Sequence, residues 1–139
     1  YKRQLQHHLG NNLAFTLATV VMDGPYAPLI RDDGGAVIGS VETHLEGAEV
    51  PENGETNIGA YWSSRSALEG VLRPLHEKMF DVEANRYATN SGELGYPNEM
   101  VRACLVAGLK VDGVPIANEQ EMMGIKTPES LAAIRAVLE

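Results

Sequence analysis

The first strong pattern along the chain is "LAFTLATVVM" (13–22), rich in apolar and β-branched residues, which predicts a buried strand. Ahead of it, residues 2–9 read as the end of a helix with Gly10 in the C′ position. "DGPY" (23–26) marks a turn. "PLIR" (28–31) and "AVIGSVE" (36–42) are short strand-like runs around "DDGG" (32–35), the pattern of a β-hairpin. The acidic stretch "THLEGAEVPENGE" (43–55) contains Gly and Pro and predicts a loop, and "TNIGAYW" (56–62) predicts another strand. Ser63 or Ser64 then caps a helix over about 65–78, with Leu68, Val71, Leu72 and Leu75 on one face. Pro74 is expected to kink that helix or end its regular part.

Residues 80–95 have no period and read as irregular. A helix is expected over about 97–107, opened by Pro97 and closed by Gly108, with Met100, Val101, Cys104 and Leu105 apolar. "LKVDGVPIA" (109–117) predicts a strand with a break at Asp112-Gly113. A last helix covers 128–139: Thr127 suits its N-cap, Pro128 its first position, and Glu129 the positive end of its dipole. Hairpin signals early and alternation later imply an α/β fold with a mixed sheet. There is no repeat, low-complexity tract or internal boundary. The 139 residues fit a single domain or part of one.

Composition narrows the class. Apolar residues make up 44% and charged residues 22%, as in a soluble globular chain. The longest apolar run, Leu17 to Met22, includes Thr19 and is far too short to span a membrane. The chain opens on Tyr1 in helix-like sequence without an initiator Met, so a start further upstream is expected. Eleven basic and 19 acidic side chains give a net charge of −8, which argues against nonspecific nucleic-acid binding. Small anionic ligands need only local positive charge. The single Cys104 cannot form an internal disulfide, and a reducing cytoplasm is expected. In its apolar helical setting it reads as a small buried hydrophobe, not a nucleophile.

Isolated candidates carry little chemistry. His7 and His8 are adjacent, so on a helix they point about 100° apart and make a poor metal pair. His44 and His76 have no Cys or His at ligand spacing. Asp32-Asp33 reads as a turn held by its own side-chain hydrogen bonds. Glu46, Glu49, Glu52 and Glu55 read as a solvated acidic loop. No Ser/His/Asp arrangement is readable.

The order of the pieces says more. "LAFTLATVVMDGPY", "IRDDGGAVIGSVE", "TNIGAYW", "NSGEL" before a helix, and "GIKTPESLA" follow one another over nearly the whole chain. This series resembles the second half of the NDP-sugar pyrophosphorylases, the sugar-phosphate nucleotidyltransferase family. The N-acetylglucosamine-1-phosphate uridylyltransferases and their relatives are nearest in pattern. The resemblance implies the mixed-sheet, Rossmann-like nucleotide-diphospho-sugar transferase fold, of which this chain is the C-terminal, sugar-side half. The family's first half carries a Gly-rich triphosphate loop, basic residues and a magnesium-binding aspartate. Here the best glycine cluster, "DDGGAVIG", lies in a hairpin and lacks the following Lys or Arg.

The implied activity is transfer of a nucleotidyl group from an NTP to a sugar 1-phosphate, giving an NDP-sugar and pyrophosphate with Mg2+ as cofactor. The resemblance places sugar contacts at Glu42, as acceptor from sugar hydroxyls, and at Asn57, whose amide can orient a ring. Gly59 would let backbone approach the ligand. Tyr26 to Leu29 occupy a ligand-wall turn, with Ala27 and Pro28 where glycine is usual. Gly92 and Glu93 match a further family segment, but Pro97 and Asn98 stand where Thr and Asp are expected. At Lys126 many relatives carry an Asn or Asp that helps hold the metal; an ammonium offers no lone pair to magnesium but can meet a phosphate. The departures at Lys126, Pro97 and Asn98 motivate an alternative: a non-catalytic sugar- or nucleotide-binding relative of the same fold. A third expectation is an assembly module, in which apolar surface left by the missing half drives formation of a homo-oligomer.

Overall fold

The structure, a computed structural model, describes residues 2–41, 51–122 and 127–138. Its centre is the strand β1 (Phe15–Asp23). Helix α1 (Lys2–Gly10) precedes it, and a hairpin of β2 (Leu29–Arg31) and β3 (Val37–Ser40) follows. Then come β4 (Asn53–Ser63) and a long helical stretch, α2 (65–79). A ribbon of β5 (Phe80–Asp81) and β6 (Arg86–Tyr87) leads to helix α3 (Tyr96–Val106). The described chain closes with β7 (Val111–Pro115), a 3₁₀ turn at Glu119–Met122, and helix α4 (Pro128–Leu138). The main sheet is mixed, in the order β4-β1-β7, with β1 antiparallel to β4 and parallel to β7. This is the α/β architecture expected from the pattern. No helix among the described residues is long and apolar enough to cross a membrane.

A central strand is covered on both faces, which explains why β1 reads as a continuous apolar run. Its Phe15 and Leu17 join Leu29 and Val37 of the hairpin, Ala67 and Val71 of α2, Met100, Val101 and Cys104 of α3, and Val111 of β7 in one core. Thr16, between them, turns to the other side and meets buried His8 of α1 through Nδ1···Oγ1 at 2.8 Å. Removing a buried side chain such as Met100 costs about 2–5 kcal/mol, because the loss of transfer free energy and the cavity add.

Local chemistry accounts for most of the ends. In the hairpin turn, Asp32 Oδ1 accepts from the N–H of Gly34 (3.0 Å) and of Ala36 (2.9 Å), and Gly35 takes φ +83°. Ser64 is the residue that caps α2, its Oγ accepting from Ala67 N at 3.1 Å. Thr127 Oγ1 accepts from Ser130 N at 3.2 Å, as an N-cap does. At the exposed Glu129 the carboxyl lies below its ordinary range, chiefly because its own backbone N–H and the Thr127 hydroxyl bond to the charged form.

Four elements differ from the expectation. The loop placed over 43–55 ends earlier, since residues 53–55 belong to β4; its residues 43–50 and Glu42 lie outside the described residues. The strand break at Asp112-Gly113 does not occur: β7 runs through both, because Asp112 is paired and Gly113 makes room, as described below. Residues 80–95 are not wholly irregular. The β5–β6 ribbon is too short to show a period and is clasped by side chains, with His76, Phe80 and Tyr87 ring centres 4.9–5.7 Å apart. In α2 the disruption lies ahead of Pro74. α-Helical Arg65–Ala67 gives way to a π-turn at Leu68–Leu72, and α-helix resumes at Arg73–Met79. Pro74 has no N–H to offer in the ladder, and the wider turn ends on Arg73 N–H to Leu68 O.

Candidate functional site

Of the sequence-predicted site residues, Tyr26, Asn57 and Gly59 fall together on one wall; Glu42 and Lys126 lie outside the described residues. The wall is a bulge in β4. Between the pairs Leu17↔Tyr61 and Thr19↔Asn57, β4 advances four residues while β1 advances two. The extra backbone is accommodated by Gly59 at φ +81°, a conformation that side chains resist. Asn57, only 5% exposed, braces the bulge. Its Oδ1 accepts from Gly59 N at 3.2 Å and from the Tyr61 hydroxyl at 3.0 Å. From α1, Gln4 Nε2 donates to Ala60 O (3.1 Å) and to Thr16 O (3.2 Å), so two carbonyls beside the bulge are satisfied. Gln4 Oε1 is buried without a partner among the described residues.

The Tyr26 segment is laid against this bulge. Tyr26 donates its hydroxyl to Asn57 O at 3.3 Å, and Asn57 N donates to Ala27 O at 3.3 Å. Ala27 N donates to Thr56 Oγ1 at 3.1 Å, and Pro28 O accepts from Val41 N at 3.1 Å. The backbone groups that a glycine-rich turn would offer to a ligand are therefore spent within the fold. What the wall still presents is the amide Nδ2 of Asn57, without a hydrogen bond among the described residues, and the half-exposed face of Tyr26. The ring of Tyr61 stacks on Phe15 (5.5 Å) and meets Tyr96 edge-on (5.7 Å), and Tyr96 packs on Phe15 at 5.9 Å. This aromatic base is apolar enough that burial pushes the Tyr96 phenol and the Cys104 thiol above their ordinary values. Cys104 is fully buried, the environment of a packing residue.

A second polar centre ties the sheet together. Arg31 of β2 donates Nε to Glu55 Oε2 (2.7 Å), Nη2 to Glu55 Oε1 (3.1 Å) and to Gly113 O (3.1 Å), and Nη1 to Asp112 Oδ1 (2.9 Å). Thr19 donates its hydroxyl to Glu55 Oε1 at 2.6 Å. His7 Nε2 meets Asp112 Oδ2 at 2.7 Å. Glu55, foremost, and Asp112 hold the Arg31 guanidinium firmly protonated. Glu55 is thus a partner of Arg31 inside β4 and not a solvated loop acid. A Cβ on Gly113 would run into Glu55 Oε1, which explains the glycine in that strand.

Gln4, Thr19, Arg31, Glu55 and Asp112 were not among the expected functional residues, Glu55 being expected in a loop and Asp112 at a strand break. One signal was available: an aspartate inside a strand pattern is disfavoured and needs a partner to be kept there. Compared with known proteins, the chain matches no family model and no curated sequence. Among the described residues no group of three His, Cys, Asp or Glu is placed to hold a metal ion.

Proposed function

We propose that this chain is the sugar-side half of a nucleotidyltransferase of the NDP-sugar pyrophosphorylase type, with that family's Rossmann-like fold. The observation that carries the reading is the Asn57–Gly59 bulge beside Tyr26. It joins three residues that the resemblance assigns to the sugar, and it leaves the Asn57 amide as a donor. The order of elements, with a hairpin before β4 and a parallel strand β7 before the capped helix α4, supports it further.

In this reaction an oxygen of the sugar 1-phosphate attacks the α-phosphorus of an NTP in line. The bond to the bridging oxygen breaks, and pyrophosphate leaves with the electron pair. Catalysis of this kind rests on positioning and charge neutralisation. The chain's own contribution is to hold the sugar: Asn57 donates to it, Tyr26 walls it, and Glu42 accepts from its hydroxyls. Lys126 meets phosphate charge. As an ammonium it has no lone pair to offer and does not fit as a magnesium ligand. The reaction would run in the cytoplasm, in keeping with the single thiol at Cys104.

The test is pyrophosphate release by the full-length protein across a panel of NTPs and sugar 1-phosphates. Turnover with one pairing well above the others is expected, and none with any pairing would overturn the proposal. Lys126 favours a second reading, a non-catalytic ligand-binding relative. Saturable sugar-phosphate binding without turnover, with magnesium or manganese supplied, would establish that one instead.

A further inference from the structure

Asn53, which opens β4, is the one asparagine of the chain that is followed by a glycine. We propose that the Asn53-Gly54 peptide is a self-modifying site: the side-chain amide is lost as ammonia, and the aspartate or isoaspartate left behind loosens the end of the β1–β4 ladder. The fold explains why both residues stand there. Asn53 Nδ2 donates to Asp23 Oδ1 at 2.8 Å across the last pair of the ladder. Gly54 makes room for Pro25, since a Cβ at position 54 would lie 3.1 Å from Pro25 Cγ.

The chemistry follows from the pair itself. The Gly54 nitrogen, having given its proton to base in the solvent, attacks Cγ of Asn53. A C–N bond forms, the bond from Cγ to Nδ2 breaks, and ammonia leaves with the electron pair and a proton from water. Water then opens the cyclic imide. Attack at Cγ gives aspartate, and attack at the backbone carbonyl gives isoaspartate, with the main chain routed through the former side chain. Water enters, ammonia departs, and nothing is oxidised or reduced. Glycine matters because no Cβ shields the attacking nitrogen.

The closed ladder opposes this step. Gly24 N donates to Glu52 O at 2.8 Å just beyond the Asp23↔Asn53 pair, so the alternation of an antiparallel ladder ties the Gly54 N–H to Met22. Asn53 is exposed, however, and these are the terminal pairs, where opening costs least. The attack therefore proceeds from the frayed end. Its product keeps that end open. Two carboxylates then face each other where a hydrogen bond stood, which destabilises a cross-strand pair. Isoaspartate also adds a carbon to the main chain and so disturbs the register of the residues that follow. The next of these is Glu55, the partner of Arg31, so the change reaches the tie between hairpin and sheet.

The test incubates the whole folded chain at mildly alkaline pH and follows its tryptic peptides by mass. Residues 32–65 form one such peptide, which holds Asn53 and, as an internal control, Asn57. Conversion at Asn53 should outrun that at Asn57 and at the exposed Asn90, yield both aspartate and isoaspartate, and quicken as pH rises. Asp23→Ala, which frees the Asn53 amide, should speed it about fivefold. The converted chain, separated by ion exchange, should unfold at a lower urea concentration than the parent. Asn53→Asp should reproduce part of that shift, and adding Asp23→Asn should recover it. An intact Asn53, or earlier conversion at Asn57 or Asn90, would overturn the proposal. So would an unchanged rate in Asp23→Ala, or a urea midpoint equal to the parent's in either the converted chain or Asn53→Asp. Pyrophosphate release enters none of these readouts, so they stand or fall apart from the transferase reading.

Discussion

Arg31 and Glu55, 24 residues apart in sequence, meet through two parallel hydrogen bonds of 2.7 and 3.1 Å and so join the hairpin to the main sheet. Their side chains are 27% and 13% exposed, so the pair is partly withdrawn from water. Glu55→Ala leaves the Arg31 charge and the Thr19 hydroxyl without their acceptor. It should lower stability by about 2–4 kcal/mol. The double variant Arg31→Met/Glu55→Leu should be less destabilised than the sum of the two single changes. Urea unfolding of the four proteins measures the coupling, and strict additivity would rule the pairing out.

Gly113 is bound to the same pair by space. Alanine there drives a methyl group into Glu55 Oε1 and close to Arg31. A loss of about 2–4 kcal/mol is expected, as for other overpacked interior sites. Combining Gly113→Ala with Glu55→Ala should recover part of it. Thermal unfolding with no recovery would mean that the crowding lies elsewhere.

Gly59 gives the opposite case. A Cβ there meets nothing within 4 Å, so only the backbone angle resists a side chain. Gly59→Ala should cost about 1–2 kcal/mol, Gly59→Asn less, and Gly59→Val most. Equal melting temperatures for the three would contradict a left-handed residue at the bulge.

Asn57 combines two duties that a single atom exchange can separate. Asn57→Asp keeps an oxygen for Gly59 N–H and Tyr61 OH but removes the Nδ2 donor. The fold should survive, while under the proposed nucleotidyltransferase reading kcat/KM of the full-length protein for a sugar 1-phosphate falls by about tenfold or more. Unchanged kinetics in a folded variant would remove Asn57 from the proposed sugar site.

His8 sets an acid limit on stability. Burial holds its folded pKa below the ordinary 6.5, so the unfolded chain binds the extra proton more readily. Stability contributed by neutral His8 is complete above about pH 6.5 and declines as pH falls from there toward the lowered folded value. Urea midpoints should drop over that window in the native chain, and less in His8→Gln. Parallel pH profiles for the two would show that another group is responsible.

Much of this architecture was legible because it is local. Asp32 bonds to amides two and four residues on, and Thr127 caps its helix through the amide three residues on, so the neighbouring sequence is enough to specify both. The Tyr26, Asn57 and Gly59 cluster was reached through the order of segments, although nothing local revealed that Asn57 would brace the bulge with its own oxygen. The Arg31 centre was illegible because its members come from five distant elements. Only the closed sheet makes Glu55 a partner instead of a loop acid and lets Asp112 stand inside a strand. The β5–β6 ribbon escaped for another reason. Two residues per strand carry no period, and the rings that hold it come from Phe80, Tyr87 and the preceding helix.

The parallel pairing of Phe15 with Val111 also sets a timetable for the newborn chain. β1 and β4 can pair as soon as both have left the ribosome, but β1 keeps one edge bare until β7 emerges about fifty residues later. At roughly 5–20 residues per second this is an interval of roughly 3–10 s. During it Arg31 has Glu55 but lacks Asp112, and the most apolar strand of the molecule offers an unpaired ladder to any neighbour. Holding that edge is the service a chaperone would perform for this protein.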